Sequence, residues 1–366
     1  MSLATLPPVL EDLSTYLICG RMLSEPPDDP REGRSVSQGL DDAVLAESLG
    51  FRRAFLSERF DLKEAGAVLG GWAARTSRLD IGTGALAIPS RDPRLTAALG
   101  ATLHAAYGPR FVLGLGRTVP QFMGLDTVSY PALEDFVGII RRLWRGEVVD
   151  YDGPAGRYDA IQLRDRYTGP APQIWSCMLG GPVASRAAAR CCDGVILTPF
   201  LLPEAVANVR AWIDEECERI GRDPAEVRIC HPIVSAVDLD DYETRLLCHA
   251  RAVTYFQMPQ FSNALLKFNG WDGDGFQQRL QNHEQLAGVG SADMAFHRRD
   301  LLGPASVIPD DWMKATCAIG TVGACVATLA DFRSAGADEL ALYGSHPAQN
   351  AGLAHAWRAR TTGAAA

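Results

Sequence analysis

The feature that most constrains this chain is a repeated alternation of short apolar runs with longer amphipathic ones, spread over all 366 residues. LSTYLICG (13–20) reads as a first strand. A helix over 37–49 follows, with Leu40, Val44, Leu45 and Leu49 on one face. RAFLS (53–57) and LDIGTGAL (79–86) read as the second and third strands, each followed by a helix, over 63–76 and 93–107. The second of these helices opens on Pro93, where a missing N–H does no harm. FVLGLG (111–116) is a fourth strand, and the stripe Leu133, Phe136, Val137, Ile140, Leu143, Trp144 marks the helix after it. QIWSCM (173–178), GVILT (194–198), VRICHPIVSAV (227–237) and DELALY (338–343) complete the set of strands, with helices expected over 182–190, 203–220 and 348–358.

Strand followed by helix, eight times, with right-handed crossovers, predicts an α/β fold of the (β/α)8 TIM-barrel type. An open doubly wound sheet is the rival, and the number of alternations favours closure. Two stretches exceed a minimal barrel. Residues 146–170 are polar and rich in Gly and Tyr, which reads as an inserted hairpin or loop. Residues 240–322 hold helix-like pieces (241–256 and 275–287) and an aromatic and amide cluster running from Tyr255 to Trp271. The chain is expected to be a single domain over 1–366, with 240–322 as a lid over the active site or as packing against the barrel's outside. The terminal TTGAAA is expected to fray.

Composition narrows the function classes. A net charge of −9 argues against nucleic-acid or anionic-membrane partners. Nine cysteines without a CxxC pair read as reduced core residues. The N-terminus lacks a signal-peptide pattern, and no apolar run is long enough to span a bilayer, so the expected location is cytoplasmic. Neither HExxH nor paired-Cys spacing is present, so no metal is expected. GxxxxGK[ST] and GxSxG are absent too. His231, mid-strand, and His104, on the third helix, read as structural.

In a barrel, chemistry belongs to the C-terminal ends of the strands. Glu58 and Arg59 follow strand two. Glu58 can accept a hydrogen bond or shuttle a proton, and Arg59 supplies a fixed cation; the pair can equally be a rim salt bridge. Gly84 and Ala85 end strand three, where small residues let a flat ring approach the backbone. Gly116 and Arg117 end strand four; Val119 stands where the last glycine of a GxGxxG fingerprint would be, so the dinucleotide reading fails. Leu179, Gly180 and Gly181 precede a helix that starts with proline, which makes a phosphate cradle or an ordinary strand-to-helix turn. Thr198 ends strand six and offers one more hydroxyl.

AESLGF (46–51), LSERFD (56–61), TSRLDIGTGAL (76–86), RDPRLTAALGATLHAAYGPRFVLGLGR (91–117), RRLWRGE (141–147), PQIWSCMLGGP (172–182), AARCCDGVILT (188–198) and GRDPAEVRI (221–229) follow one another in the order of the bacterial-luciferase-like superfamily, which the chain resembles over nearly its whole length. SERFDLKEA (57–65), NGWD (269–272) and IPDDWM (308–313) resemble an actinobacterial branch of deazaflavin (coenzyme F420)-dependent oxidoreductases. The resemblance implies a cofactor ring in the barrel mouth, its phosphate on Leu179, Gly180 and Gly181, a non-prolyl cis peptide at Gly84–Ala85, a small-molecule substrate and a homodimer. It also marks departures. Arg59 stands where such enzymes carry a histidine, and Val119 is the nearest match to a glutamate after strand four. Arg59 cannot act as a base; it suits stabilising negative charge on a reduced ring or a substrate carbonyl oxygen. Three readings follow: hydride transfer with F420, an FMN-dependent monooxygenase, and a non-catalytic ligand-binding barrel.

Overall fold

The computed structural model describes residues 6–20, 34–59, 63–120, 124–361 and 363. Phe60 and Asp61 of the SERFD stretch, and all of the TTGAAA tail except Thr361 and Gly363, lie outside the described residues. Eight parallel strands close into a barrel: β1 (Leu13–Tyr16), β2 (Arg53–Leu56), β3 (Asp80–Thr83), β4 (Phe111–Gly116), β5 (Gln173–Met178), β6 (Gly194–Leu197), β7 (Arg228–Val237) and β8 (Glu339–Tyr343). Each pairs in parallel with its neighbours, and β8 returns to β1 through Leu13↔Leu340 and Thr15↔Leu342. The helices between are α1 (Val36–Leu49), α2 (Ala65–Arg75), α3 (Pro93–Tyr107), α4 (Tyr130–Trp144), α5 (Pro182–Cys191), α6 (Pro203–Ile220), α7 (Val322–Ser334) and α8 (Ala351–Thr361).

Sequence expectation and structure differ at a few places. The first strand ends at Tyr16 rather than Gly20. The third breaks after Thr83 and resumes as a two-residue strand, Leu86–Ala87, so that Gly84 and Ala85 form a step. The last helix runs three residues later than the pattern suggests. Helix α7 is built of VGACVATLADFRS, whose small and apolar residues leave no polar face to mark a period in the sequence. The polar stretch after α4 is an antiparallel hairpin, Val149–Gly153 with Gly156–Ile161. Residues 240–320 lie between β7 and α7, and their helices include Ala250–Phe256 and Pro259–Asn269. The expected helix over 275–287 is only Phe276–Gln281. This segment has an aromatic core of its own, in which the Trp271 and Trp312 rings stack at 4.3 Å and Phe256 and Phe276 pack around them.

Side chains alternate across a strand, so residues two apart stack along the barrel axis. At the N-terminal end the layer is polar: Arg53 donates to both Glu339 oxygens at 2.8 and 2.6 Å, and the Ser14 hydroxyl donates to Oε1 at 2.5 Å. The guanidinium of Arg53 lies 4.7 Å from the Trp175 ring centre. One layer up, Tyr16, Phe55, Val112, Trp175, Ile196, Cys230 and Ala341 pack as an apolar plug. One layer higher, Ser57, Cys177, Pro232 and Tyr343 face open space.

His104 is structural: its Nδ1 meets the Pro170 carbonyl at 3.0 Å, and its Nε2 receives the Phe111 amide at 3.2 Å. His231 corrects the expectation of a satisfied core histidine. It is fully buried against Phe332 of α7, and neither ring nitrogen has a partner. Burial pushes its pKa down from 6.5 to about 3.

Two outcomes are expected. Glu339→Gln removes the nearer counter-charge of the buried Arg53, leaving Asp80 at 3.4 Å, and should destabilise the fold by about 3 kcal/mol in urea unfolding. The unfolded chain takes up a proton at His231 below pH 6.5 and the folded one only near 3. This residue therefore removes about 1.4 kcal/mol of stability per pH unit on descending through that window. His231→Phe should flatten that part of the acid limb in a comparison of unfolding free energies.

Candidate active site

The end of β2 and the step after β3 hold one another. The Ser57 hydroxyl donates to the Gly84 carbonyl at 2.7 Å, and the Glu58 amide donates to the Ala85 carbonyl at 3.1 Å. The Gly84–Ala85 peptide is cis, the bond at which the family resemblance implies one. A Cβ on Gly84 would stand 2.4 Å from the Tyr16 hydroxyl, and one on Gly116 2.9 Å from the Ala85 methyl. These positions thus form a close-packed floor that admits no side chain.

Above this floor opens a cavity of about 650 Å³ at the C-terminal ends of the strands. Such a volume suits a small molecule or a cofactor. Glu58, Arg59, Gly84, Ala85, Gly116, Arg117, Leu179, Gly180 and Thr198 all line it; Gly181 does not. Gly181 instead caps α5, and its Cα side is covered by Phe268, whose Cζ would lie 2.5 Å from an added Cβ. Of the expected cradle Leu179, Gly180 and Gly181, the first two line the cavity and the third stands behind Phe268 at the start of α5. Both glycines have positive φ, +103° and +89°. No side chain caps the N-terminus of α5.

Glu58 is nearly fully buried. Its Oε1 accepts from Arg91 at 2.6 Å and from the Ala65 amide at 3.3 Å, whereas Oε2 is buried and has no partner. Thr198 is likewise buried with an unpartnered hydroxyl. Arg59 is not an isolated cation for a ring. It donates to the Asp293 carboxylate at 3.3 Å and to the Asp293 carbonyl at 3.0 Å. Arg251 holds the other Asp293 oxygen at 2.8 Å. Arg59 thus lines the cavity while sharing an ion bridge with the 240–320 segment. Arg117 turns its Nε to the Val128 carbonyl at 2.5 Å and stacks 3.6 Å from the Tyr130 ring centre, so its side chain is tied to the start of α4.

Sequence reasoning missed Arg91, Arg251 and Asp293, because ion pairs between distant segments follow no spacing rule. The aromatic cluster was visible, but it divides: Tyr255, Phe261 and Phe268 line the cavity, while Phe256 and Trp271 belong to the segment's own core. Asn269 ties that segment to the barrel through the Phe200 carbonyl and the Leu202 amide, both at 2.8 Å. Among the described residues that line it, Arg59, Lys63, Arg117, Arg251 and Arg298 are cationic, and Glu58 and Asp293 are acidic. In a chain of net charge −9 that local excess favours an anionic ligand. Cys177 also lines the cavity, but burial pushes its thiol up, away from the reactive thiolate.

The sequence model of the family described as luciferase-like monooxygenase matches residues 22–339. The chain belongs to this family. An F420-dependent glucose-6-phosphate dehydrogenase of Nakamurella multipartita is 36% identical over 205 residues, which is 51% of this chain and 59% of that protein. The chain thus spans about three fifths of the length of the curated relatives it matches. Among solved structures, a coenzyme F420-dependent tetrahydromethanopterin reductase from Methanopyrus kandleri superposes with a TM-score of 0.74 at 18% identity, covering 95% of this chain and 97% of that one. An F420-dependent secondary alcohol dehydrogenase in complex with an F420–acetone adduct gives 0.65 at 18% identity, with coverage of 91% and 92%. At such identities the likeness concerns the fold alone.

Gly181→Ala places a methyl group against Phe268 at a left-handed φ. It is expected to lower stability by about 1–2 kcal/mol, read as a fall in thermal midpoint.

Proposed function

We propose that this chain is a deazaflavin (coenzyme F420)-dependent oxidoreductase that moves hydride to or from a small organic substrate. The observation that carries the reading is the pairing, in one cavity, of a small-residue floor at Gly84 and Ala85 with buried polar atoms that lack partners, Thr198 Oγ1 and Glu58 Oε2. An unsatisfied buried polar atom is unfavourable unless a ligand completes it. The F420-dependent relatives favour the deazaflavin over other flat rings.

The residues present fit such a group. Gly84, Ala85 and Gly116 would bear the ring. Leu179 and Gly180, with the uncapped N-terminus of α5 and the Thr198 hydroxyl, would hold a phosphate, since helix amides and their dipole favour an anion there. When bound, a deazaflavin supplies two-electron hydride transfer. The protein's own part is to bind, orient and exclude water. Residues 240–320 serve as the lid, with Tyr255, Phe261 and Phe268 as its apolar underside and Asp293 as its tie to Arg59. Glu58 is engaged by Arg91, and Arg59 cannot take a proton. With Arg59 at the place of the family's histidine, reduction of an activated C=C, C=N or C=O is favoured over alcohol oxidation, which needs a base.

The family's description as luciferase-like monooxygenase favours a second reading, an FMN-dependent monooxygenase. Titrating the purified protein with F420 and with FMN and following fluorescence quenching separates them. Saturable F420 quenching is expected; tight FMN binding without F420 binding would replace the first reading with the second, and binding of neither would leave a non-catalytic barrel. Thr198→Val should weaken F420 binding by about tenfold, the value of one hydrogen bond to a charged group, while leaving the cofactor-free protein as stable or more so in thermal denaturation.

A further inference from the structure

Arg91 stands on the turn before α3, outside the cavity wall, yet its guanidinium reaches the cavity-lining Glu58. One nitrogen, Nη2, donates to Glu58 Oε1 at 2.6 Å and to Glu64 Oε1 at 2.5 Å. Glu64 caps the N-terminus of α2, accepting from the Gly66 and Ala67 amides at 3.0 and 2.7 Å. The Ala65 amide, first in α2, donates to the same Glu58 oxygen. Glu58 is thus clamped through Oε1 alone, by one cation and one helix amide, and its backbone amide is already engaged with Ala85. Oε2 is left buried, without a partner, on a residue that lines the cavity. A carboxylate needs acceptor bonds at both oxygens when removed from water.

We propose that Arg91 is the positioning residue that fixes Glu58 so that Oε2 receives a hydrogen bond from an N–H or O–H donor of the ligand bound in the barrel mouth. The proposal rests on the cofactor reading above for the ligand's identity, but the clamp itself is a property of the chain. Arg91 touches no ligand in this scheme; it acts through Glu58. It places a cation against Oε1 and holds the carboxylate plane against rotation, so that Oε2 stays turned to the cavity. Glu64 sets the position of Arg91 in turn, which links the start of α2 to the floor of the site.

The test uses the full chain and three variants, Arg91→Ala, Arg91→Lys and Glu58→Gln, with F420 as the probe and quenching as the readout. Arg91→Ala strands a buried carboxylate without its cation, a state relieved by taking up a proton. Its F420 affinity is expected to fall about tenfold at neutral pH and further as the pH is lowered from about 8 to about 6. Arg91→Lys should restore most of the affinity and remove the added pH dependence. Glu58→Gln should lose a similar factor with no such dependence. Arg91→Ala binding F420 with the affinity and pH profile of the unaltered protein overturns the proposal. So does a loss in Arg91→Ala that is flat with pH and not rescued by lysine, because that is the mark of a merely structural role.

The infrared protonated-carboxyl band of the cofactor-free protein separates this test from the cofactor question. On lowering the pH, Arg91→Ala should gain a band that disappears in Arg91→Ala combined with Glu58→Gln. If the unaltered protein binds neither F420 nor FMN, the cofactor reading fails and the band still decides the clamp: its absence overturns it. Arg91→Lys, which keeps the cation, covers the case in which Arg91→Ala fails to fold.

Discussion

The barrel closes around a buried charge pair. Arg53 on β2 and Glu339 on β8 flank β1, and Ser14 of β1 completes the contact. Two ions inside a barrel are tolerable only when paired, and this pair meets in the register that β1, β2 and β8 adopt. The same register places every residue above it. Phe55 and Ala341, two positions along, close the apolar middle layer, and Ser57 and Tyr343, two further, reach the mouth. A slip of one residue on either strand would exchange the plug for the outer face and dismantle the site.

Above the plug the design changes from filling space to leaving it. Tyr16, Gly84, Ala85 and Gly116 approach one another so closely that a further carbon would collide, which makes a flat floor. The wall opposite belongs to residues 240–320, which carry their own stacked tryptophans and are tied down at Asn269 and Asp293. Asp293 is shared between Arg59 from the barrel and Arg251 from the segment itself. The cations of the mouth are therefore partly spent on structure. Among the described residues the lining of this largely apolar cavity still counts more cations than acids.

The strands were readable because parallel strands buried on both faces become continuous apolar runs. FVLGLG and QIWSCM needed no partner to be recognised. Glycine-bearing strand ends were readable for a related reason: Gly84 and Gly180 sit where the chain turns at the lining of the cavity. Resolution failed at the next level. Gly181 looked equivalent to Gly180 in the sequence, and only the position of Phe268, far along the chain, shows that one faces the cavity and the other does not. Arg59 looked like a cation available to a ring until Asp293 met it. Helix α7 escaped because alanine, glycine and threonine supply no contrast between its faces.

The sequence by itself determined the barrel, the family and the loops that carry the site, because local periodicity and the order of motifs are properties of the chain read in one direction. Tertiary structure alone decided which charges cancel. Arg91 lies 33 residues from Glu58, Arg251 lies 42 from Asp293, and Arg53 lies 286 from Glu339. Electrostatic partnership depends on distance in space and on the removal of water, neither of which is written in the spacing of residues along a chain.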